Sequence, residues 1–147
     1  MPITMKSGPW SHGQIQSWLD ATVIPLRLAT AGREGPIVTS LWFVHEAGSL
    51  WCATQGSSTV AQRVRRDARV GWEVSPDTPP YRGVRGRGRA QIVDDEMRAR
   101  EVLAQVIARY GQQGTQLEAW LLSRASSEVA LQIPVTDVTS WDYAPRM

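Results

Sequence analysis

A chain of 147 residues, 42% hydrophobic and 20% charged, holds enough apolar material for one domain with its own core. A formal net charge of +2 is too small to demand a nucleic-acid or membrane partner. The single cysteine, Cys52, excludes an internal disulfide, and no apolar run approaches the ~20 residues of a membrane span, so a cytoplasmic protein is expected.

Residues 1–10 are rich in Pro and Gly and read as a loose N-terminal arm, leaving a single domain over 11–147. Ser11 and Gln14 fit a capping box, and Ile15, Trp18 and Leu19 share one face of the helix it opens, which should stop near Thr22. Leu26 and Leu28 alternate in a strand over 24–30 that starts at Pro25. After a turn at 31–36, Ile37 to Val44 is apolar or hydroxyl-bearing on both faces, which predicts a strand covered on both sides. A turn at 45–49 sends the chain back through Leu50 to Thr54 as a hairpin.

Ser57, Ser58 and Thr59 offer several N-caps for a short helix to about Asp67, with Val60 and Val64 on its buried side. Val70, Trp72 and Val74 alternate in a half-buried strand. Ser75 to Pro80 is loop by composition, and Tyr81 to Val93 reads as one long strand. In it Arg85, Arg87 and Arg89 fall on one face, and Val84 and the glycines on the other. Asp94, Asp95 and Glu96 open a helix whose apolar positions run from Ala99 to Tyr110 and which ends at Gly111. Thr115 and Glu118 form a second capping box. Val129–Ile133 and Val138–Tyr143 are closing strands separated by Pro134. Six or seven short strands with few helices predict a mainly β fold with flanking helices, a small closed or partly closed barrel.

No triad order, nucleophile elbow or zinc motif is present, and the carboxylates and histidines do not cluster as metal ligands do. His12, in a capping box, and His45, in a turn, read as surface residues. Any chemistry would then be carried by a cofactor. The hydroxyl-rich loop 57–59 entering a helix right after two strands is an anion seat, because free backbone N–H groups and the helix dipole both favour a phosphate. Arg63, one turn further on, could reach the same anion, and Arg82 or its strand neighbours could pair with phosphate. The seven Trp are expected mainly in the core, with some facing a ligand or a second subunit.

The ordered segments RLATAGREGPIVTSLWFVHEAGSLWCAT, SSTVAQRVRRDARVGW and YRGVRGRGRAQIV, with SWDY near the end, resemble the pyridoxamine 5′-phosphate oxidase-like split-barrel flavoproteins. That resemblance implies a homodimer of six-stranded split barrels binding FMN, or in some branches the deazaflavin coenzyme F-420, across the dimer interface. It implies that Val38, Thr39, Ser40 and Leu41 line the flavin ring, that Ala53 and Thr54 lie near the ring or ribityl chain, and that Ser58 and Thr59 hold the phosphate. Arg82 would approach from the long strand and Trp141 from the partner chain. Val38, Phe43 and Val60 stand where many relatives carry cations, and Gly83 where a Gln often follows the Arg. The basic substrate-binding tail is reduced to Arg146. The implied activity is therefore a flavin- or deazaflavin-dependent oxidoreductase acting on a small molecule, and not a true vitamin B6 oxidase. A non-enzymatic flavin- or haem-binding protein on the same fold is the alternative. A single-stranded nucleic-acid module using Arg82, Arg85, Arg87 and Arg89 is the remaining reading, disfavoured by the low charge and the lack of interleaved aromatics.

Overall fold

The structure, a computed structural model, describes residues 3–147. Its strands are β1 (Met5–Ser7), β2 (Leu26–Thr30), β3 (Ile37–Leu41), β4 (Val44–Glu46), β5 (Ser49–Gln55), β6 (Arg69–Val74), β7 (Arg82–Arg89), β8 (Gln91–Val93), β9 (Glu128–Pro134) and β10 (Val138–Asp142). The helices are α1 (His12–Ala21), α2 (Thr59–Arg66), α3 (Glu96–Arg109) and α4 (Gln116–Ser123). The fold is mainly β with flanking helices, as the alternation of short apolar runs predicts.

Among the described residues ten strands form two sheets, and neither closes into a barrel. One sheet has the order β1-β10-β7-β6-β2-β3 and the other β4-β5-β9-β8. The chain passes between them four times, from β3 to β4, β5 to β6, β7 to β8 and β9 to β10, and two of these crossings interrupt an expected strand. The expected long strand over 81–93 breaks at Ala90, where β7 leaves the first sheet and β8 enters the second. The expected strand over 37–44 breaks likewise at Trp42–Phe43, between β3 and β4.

The main core fills the space between the sheets. Leu26, Leu28, Trp72, Val74 and Val84 from the first meet Leu50, Cys52, Leu131 and Ile133 from the second, all buried. Alternation dictates this, since period-two strands aim every second side chain inward. Trp72 lies opposite Gly86 across the β6–β7 pair, and a Cβ on Gly86 would stand 2.6 Å from the indole. That glycine is therefore a packing requirement, set by the buried indole of Trp72. α1 adds Ile15 and Leu19 to this core, and α2 adds Val60 and Val64. α3 packs Val102, Leu103, Val106 and Ile107 on the outer side of the second sheet as a separate cluster.

Several sequence expectations need correction. Of the loose arm over 1–10, residues 1 and 2 lie outside the described residues, while Ile3 is buried and Met5–Ser7 pair in parallel with β10. The signal was invisible because three exposed residues carry no alternation of burial. β3 is not covered on both faces. It is an edge strand on which Ile37, Val38 and Ser40 are exposed. His45 is not a surface residue: its side chain is 7% exposed and its Nδ1 lies 2.7 Å from Asp20 Oδ1, tying β4 to α1.

Most tryptophans are neither core nor free surface. Trp72 alone is buried, Trp120 is exposed, and the rest are half-buried. Four indoles lie under guanidinium groups: Trp18 under Arg82, Trp51 under Arg98, Trp120 under Arg124 and Trp141 under Arg85. Arginine faces pack on half-exposed indoles through cation–π attraction while keeping their N–H groups wet.

Candidate functional site

The two strands that the sequence placed against a flavin ring diverge from a common corner. β3 pairs only with β2, so its other edge is open along Ile37–Leu41. β5 pairs with β4 only over Ser49–Trp51, and beyond that only β9 accompanies it. The stretch Ala53–Gln55 therefore also has one open edge. Both edges start at Trp42–Phe43, where β3 gives way to β4. Each edge presents backbone groups with no strand partner among the described residues, groups that a flat ligand with ring N–H and C=O groups can satisfy.

The corner is fixed by Tyr110 at the end of α3. Its ring stacks on Trp42 with centroids 5.0 Å apart, and its hydroxyl accepts from the Phe43 N–H at 3.2 Å while donating to the Ile24 carbonyl at 2.8 Å. Burial pushes the Tyr110 phenol above its ordinary range, which keeps it a donor. Arg109 holds the neighbouring end of α1. It donates to the Leu19, Asp20 and Thr22 carbonyls at 2.8, 3.0 and 3.1 Å, and its guanidinium lies 5.0 Å from the Phe43 ring centroid.

At the far end of β5 the chain turns through Gly56 and Ser57 into α2. Ser58 is the N-cap. Its Oγ accepts from the Ala61 N–H at 3.1 Å and from the Thr54 hydroxyl at 3.0 Å. The cap hydroxyl is thus already engaged, but the Thr59 and Val60 N–H groups have no acceptor among the described residues. These two amides, with the Ser57 and Thr59 hydroxyls, are the groups at this helix start that could meet an anion. The residues present fit a phosphate group there by hydrogen bonding and helix dipole, without a cation.

The other candidates are distributed differently. Arg63 turns away from the α2 N-terminus and donates to the Gly35 carbonyl at 3.2 Å, its guanidinium occupying the space a side chain on Gly32 would take. It pins the β2–β3 turn to α2. Arg82 lies at the opposite end of the first sheet. β7 runs from Arg82 to Arg89 and is followed by Ala90, which bonds to Ala68 just past the C-terminal end of α2, so about 23 Å of strand separates Arg82 from that end of the helix. Trp141 stands on β10, opposite Gly83. Val38–Leu41 thus lie on the open β3 strand, Ala53 and Thr54 on the open part of β5, and Ser58 and Thr59 at the α2 N-terminus that follows it, while Arg63 is bonded to the β2–β3 turn and Arg82 and Trp141 stand on β7 and β10.

Of the positions where relatives carry cations, Phe43 and Val60 are buried in the core. A lysine at position 60 would have to leave it. Only Val38, 67% exposed, has a side chain free to be replaced without disturbing the core.

Sequence reasoning missed the outward face of the first sheet. The small floor residues Ala29 and Gly71, walled by Arg27, Glu73 and Arg85 with Val38 at one side, form an open groove of about 740 Å³. Register puts Glu73 between Arg27 and Arg85 in one cross-strand row. Arg87 and Lys6 both pair with Asp137 at its rim. The signal in sequence was the alternation Arg69-Val70-Gly71-Trp72-Glu73, which marks a half-buried strand but not the cross-strand row that its outward face joins.

Gln55 and Glu128 face each other across β5 and β9, with the Gln55 amide donating to Glu128 Oε1 at 3.1 Å. Glu128 is buried and its Oε2 has no partner. Burial pushes its carboxyl above the ordinary value of 4.5. The folded chain therefore holds this proton to higher pH than the unfolded chain. Stability from this group is full below the ordinary value and is lost as pH rises through the raised one. Glu128→Gln should raise the melting temperature at neutral pH by on the order of 2 °C and leave it unchanged near pH 4, as measured by thermal denaturation. An equal gain at both pH values would remove burial of the charge as its cause.

Among the described residues no group of three His, Cys, Asp or Glu side chains is placed to hold a metal ion, and no helix is long and apolar enough to cross a membrane. Residues 14–142 match the family model described as pyridoxamine 5′-phosphate oxidase. Among solved structures the chain is similar to a conserved hypothetical protein from Mycobacterium tuberculosis, with 28% identity, TM-score 0.78, 92% of this chain and 86% of that one covered. It is also similar in fold to an F-420 reductase, with 22% identity, TM-score 0.67 and coverage of 83% and 94%. A third likeness is to an FAD-binding protein from Mesorhizobium loti, with 18% identity, TM-score 0.68 and coverage of 89% and 93%. No protein of curated function matches the sequence.

Proposed function

Because this chain belongs to the pyridoxamine 5′-phosphate oxidase family, we propose that it is a flavoprotein oxidoreductase that seats FMN in the cleft between β3 and β5. The observation that carries this reading is the coincidence of two open strand edges, on β3 and β5, with two unpartnered amides, Thr59 and Val60, at the helix N-terminus that directly follows β5. When bound, the isoalloxazine supplies hydride transfer between a reductant and a small substrate. The chain's own groups orient it: backbone of Val38–Leu41 and Ala53–Thr54 meets the ring edges, and the α2 N-terminus takes the phosphate. The two sheets, joined at Ala90 and at Trp42–Phe43, are the halves of a split barrel in this reading.

One chain leaves the cleft open on the side of the exposed Val38, next to the groove on the outward sheet face. A second copy laid on that face closes it, so the working form in this proposal is a homodimer. The substrate in this reading is not that of a vitamin B6 oxidase, because the basic substrate-binding tail that the resemblance implies is reduced to Arg146.

The purified protein should be yellow or take up FMN on titration. Thr59 is the first residue of α2, and Ser58 has the extended backbone (φ −64°, ψ 156°) that a following proline requires. Thr59→Pro therefore deletes one seat N–H without breaking the helix. FMN affinity should fall about tenfold relative to Thr59→Ala, as a charge-assisted bond is lost. Equal affinity of the two variants would move the phosphate elsewhere. Binding of the deazaflavin, and not FMN, in the same titration would select the second cofactor; binding of neither would end the proposal.

A further inference from the structure

A second groove lies at the other end of the first sheet, where α1 crosses the start of β7 and the end of β10. It has a volume of about 710 Å³ and includes Trp10, Trp18, Arg82 and Asp142 in its lining. The two indoles stand with centroids 5.1 Å apart at 47°, forming an apolar corner. Their donors are already spent: Trp18 Nε1 donates to the Val74 carbonyl at 3.0 Å, and Trp10 Nε1 to Asp142 Oδ2 at 3.4 Å. What the corner offers a ligand is therefore ring surface.

Arg82 supplies the opposite property. Its guanidinium lies 5.7 Å from the Trp18 ring centroid and makes no side-chain hydrogen bond or ion pair with any described residue. The nearest acid in register, Asp142, is engaged: Oδ1 accepts from the Ala144 N–H at 2.9 Å and Oδ2 from Trp10. A half-buried arginine with its donors free, held against an indole, is a fork waiting for a carboxylate or similar oxyanion. The other strand arginines differ. Arg87 is paired with Asp137, and Arg85 faces the outward groove.

We propose that this groove binds a small planar aromatic anion, with the ring in the Trp10–Trp18 corner and the oxyanion on Arg82. The Trp10–Trp18 corner supplies ring surface for stacking, and the Arg82 guanidinium beside it supplies a charged donor for an oxyanion on the same ligand. The inference does not depend on the cofactor reading, since Arg82 stands on β7 and not on β3, β5 or the α2 N-terminus.

The test uses the full chain and calorimetric titration with naphthalene carboxylate, matched against naphthalene methanol, which keeps the ring and lacks the charge. The carboxylate should bind saturably and at least ten times more tightly than the alcohol. Arg82→Met should remove that preference and leave the alcohol unaffected; Trp18→Phe should weaken both. If Trp18→Phe does not fold, Arg82→Met decides alone. Equal binding of the two probes to the unaltered protein, or no saturation at millimolar concentration, would overturn the proposal. So would a loss of FMN affinity in Arg82→Met with the carboxylate preference intact, because Arg82 would then serve the cofactor. Carboxylate binding by a protein that takes no flavin would leave this inference standing and end the other.

Discussion

Phe43→Ala should remove about 3–5 kcal/mol of folding stability, a third or more of what a domain of this size commonly has. Phe43 is fully buried and sits where the chain leaves one sheet for the other. Its ring touches the core between the sheets and lies under the Arg109 guanidinium. Truncation leaves a cavity bounded by rigid strands on both sides, which have little freedom to collapse into it. Urea denaturation at 25 °C measures the loss as a lower midpoint at unchanged slope. A loss below 1 kcal/mol would mean that the corner repacks. The same variant should bind FMN poorly even where it is folded, because the two walls of the cleft diverge from this residue.

Cys52 should react with a thiol reagent at least about a thousandfold more slowly in the folded chain than in denaturant. It stands at the middle of β5, fully buried between Leu50 and Leu131 neighbours in the core, and burial pushes its thiol far above the ordinary range. The thiolate is the reacting species, so folding suppresses the reaction twice, by access and by ionisation. Labelling kinetics with an aromatic disulfide reagent, followed across denaturant, check this. A rate within tenfold of the unfolded chain would show that β5 opens without global unfolding. The measurement also reports on the cleft, because β5 is one of its walls.

The elements that sequence reading recovered are those whose signal is local. Ser11 and Gln14 do form the capping box of α1, Asp95 does cap α3, and the Arg85/Val84 alternation does separate the faces of β7. The second capping box is only half made: Thr115 accepts from the Glu118 N–H, but Glu118 reaches the Gly114 amide instead. What failed was set by long-range pairing. An apolar run such as 37–44 gives no sign that it will bend at Trp42–Phe43 and leave Val38 exposed on an edge. The apolar positions of 81–93 give no sign of a change of sheet at Ala90. The arrangement of the candidate site exists only because of those two bends, so its residues were nameable one by one while its shape was not. Arg63 and Arg82 illustrate the remainder: charge and position in sequence suggested one anion, whereas strand direction carries them to opposite ends of a sheet.

The parallel pairing of β1 with β10 has a bearing on how the molecule is made. Ser7 and Thr139, whose hydroxyls lie 3.4 Å apart, are separated by 132 residues of chain. At ordinary elongation rates of 5–20 residues per second, the first strand waits roughly 7–26 s on the ribosome before its neighbour exists. Until then Ile3 has no completed core to enter, and the edge of β7 that β10 will cover lies bare beside Gly83 and Arg85. The half-made sheet is thus exposed to stray strand pairing during synthesis, and the arginines spaced along that edge are the charge that keeps other chains off it.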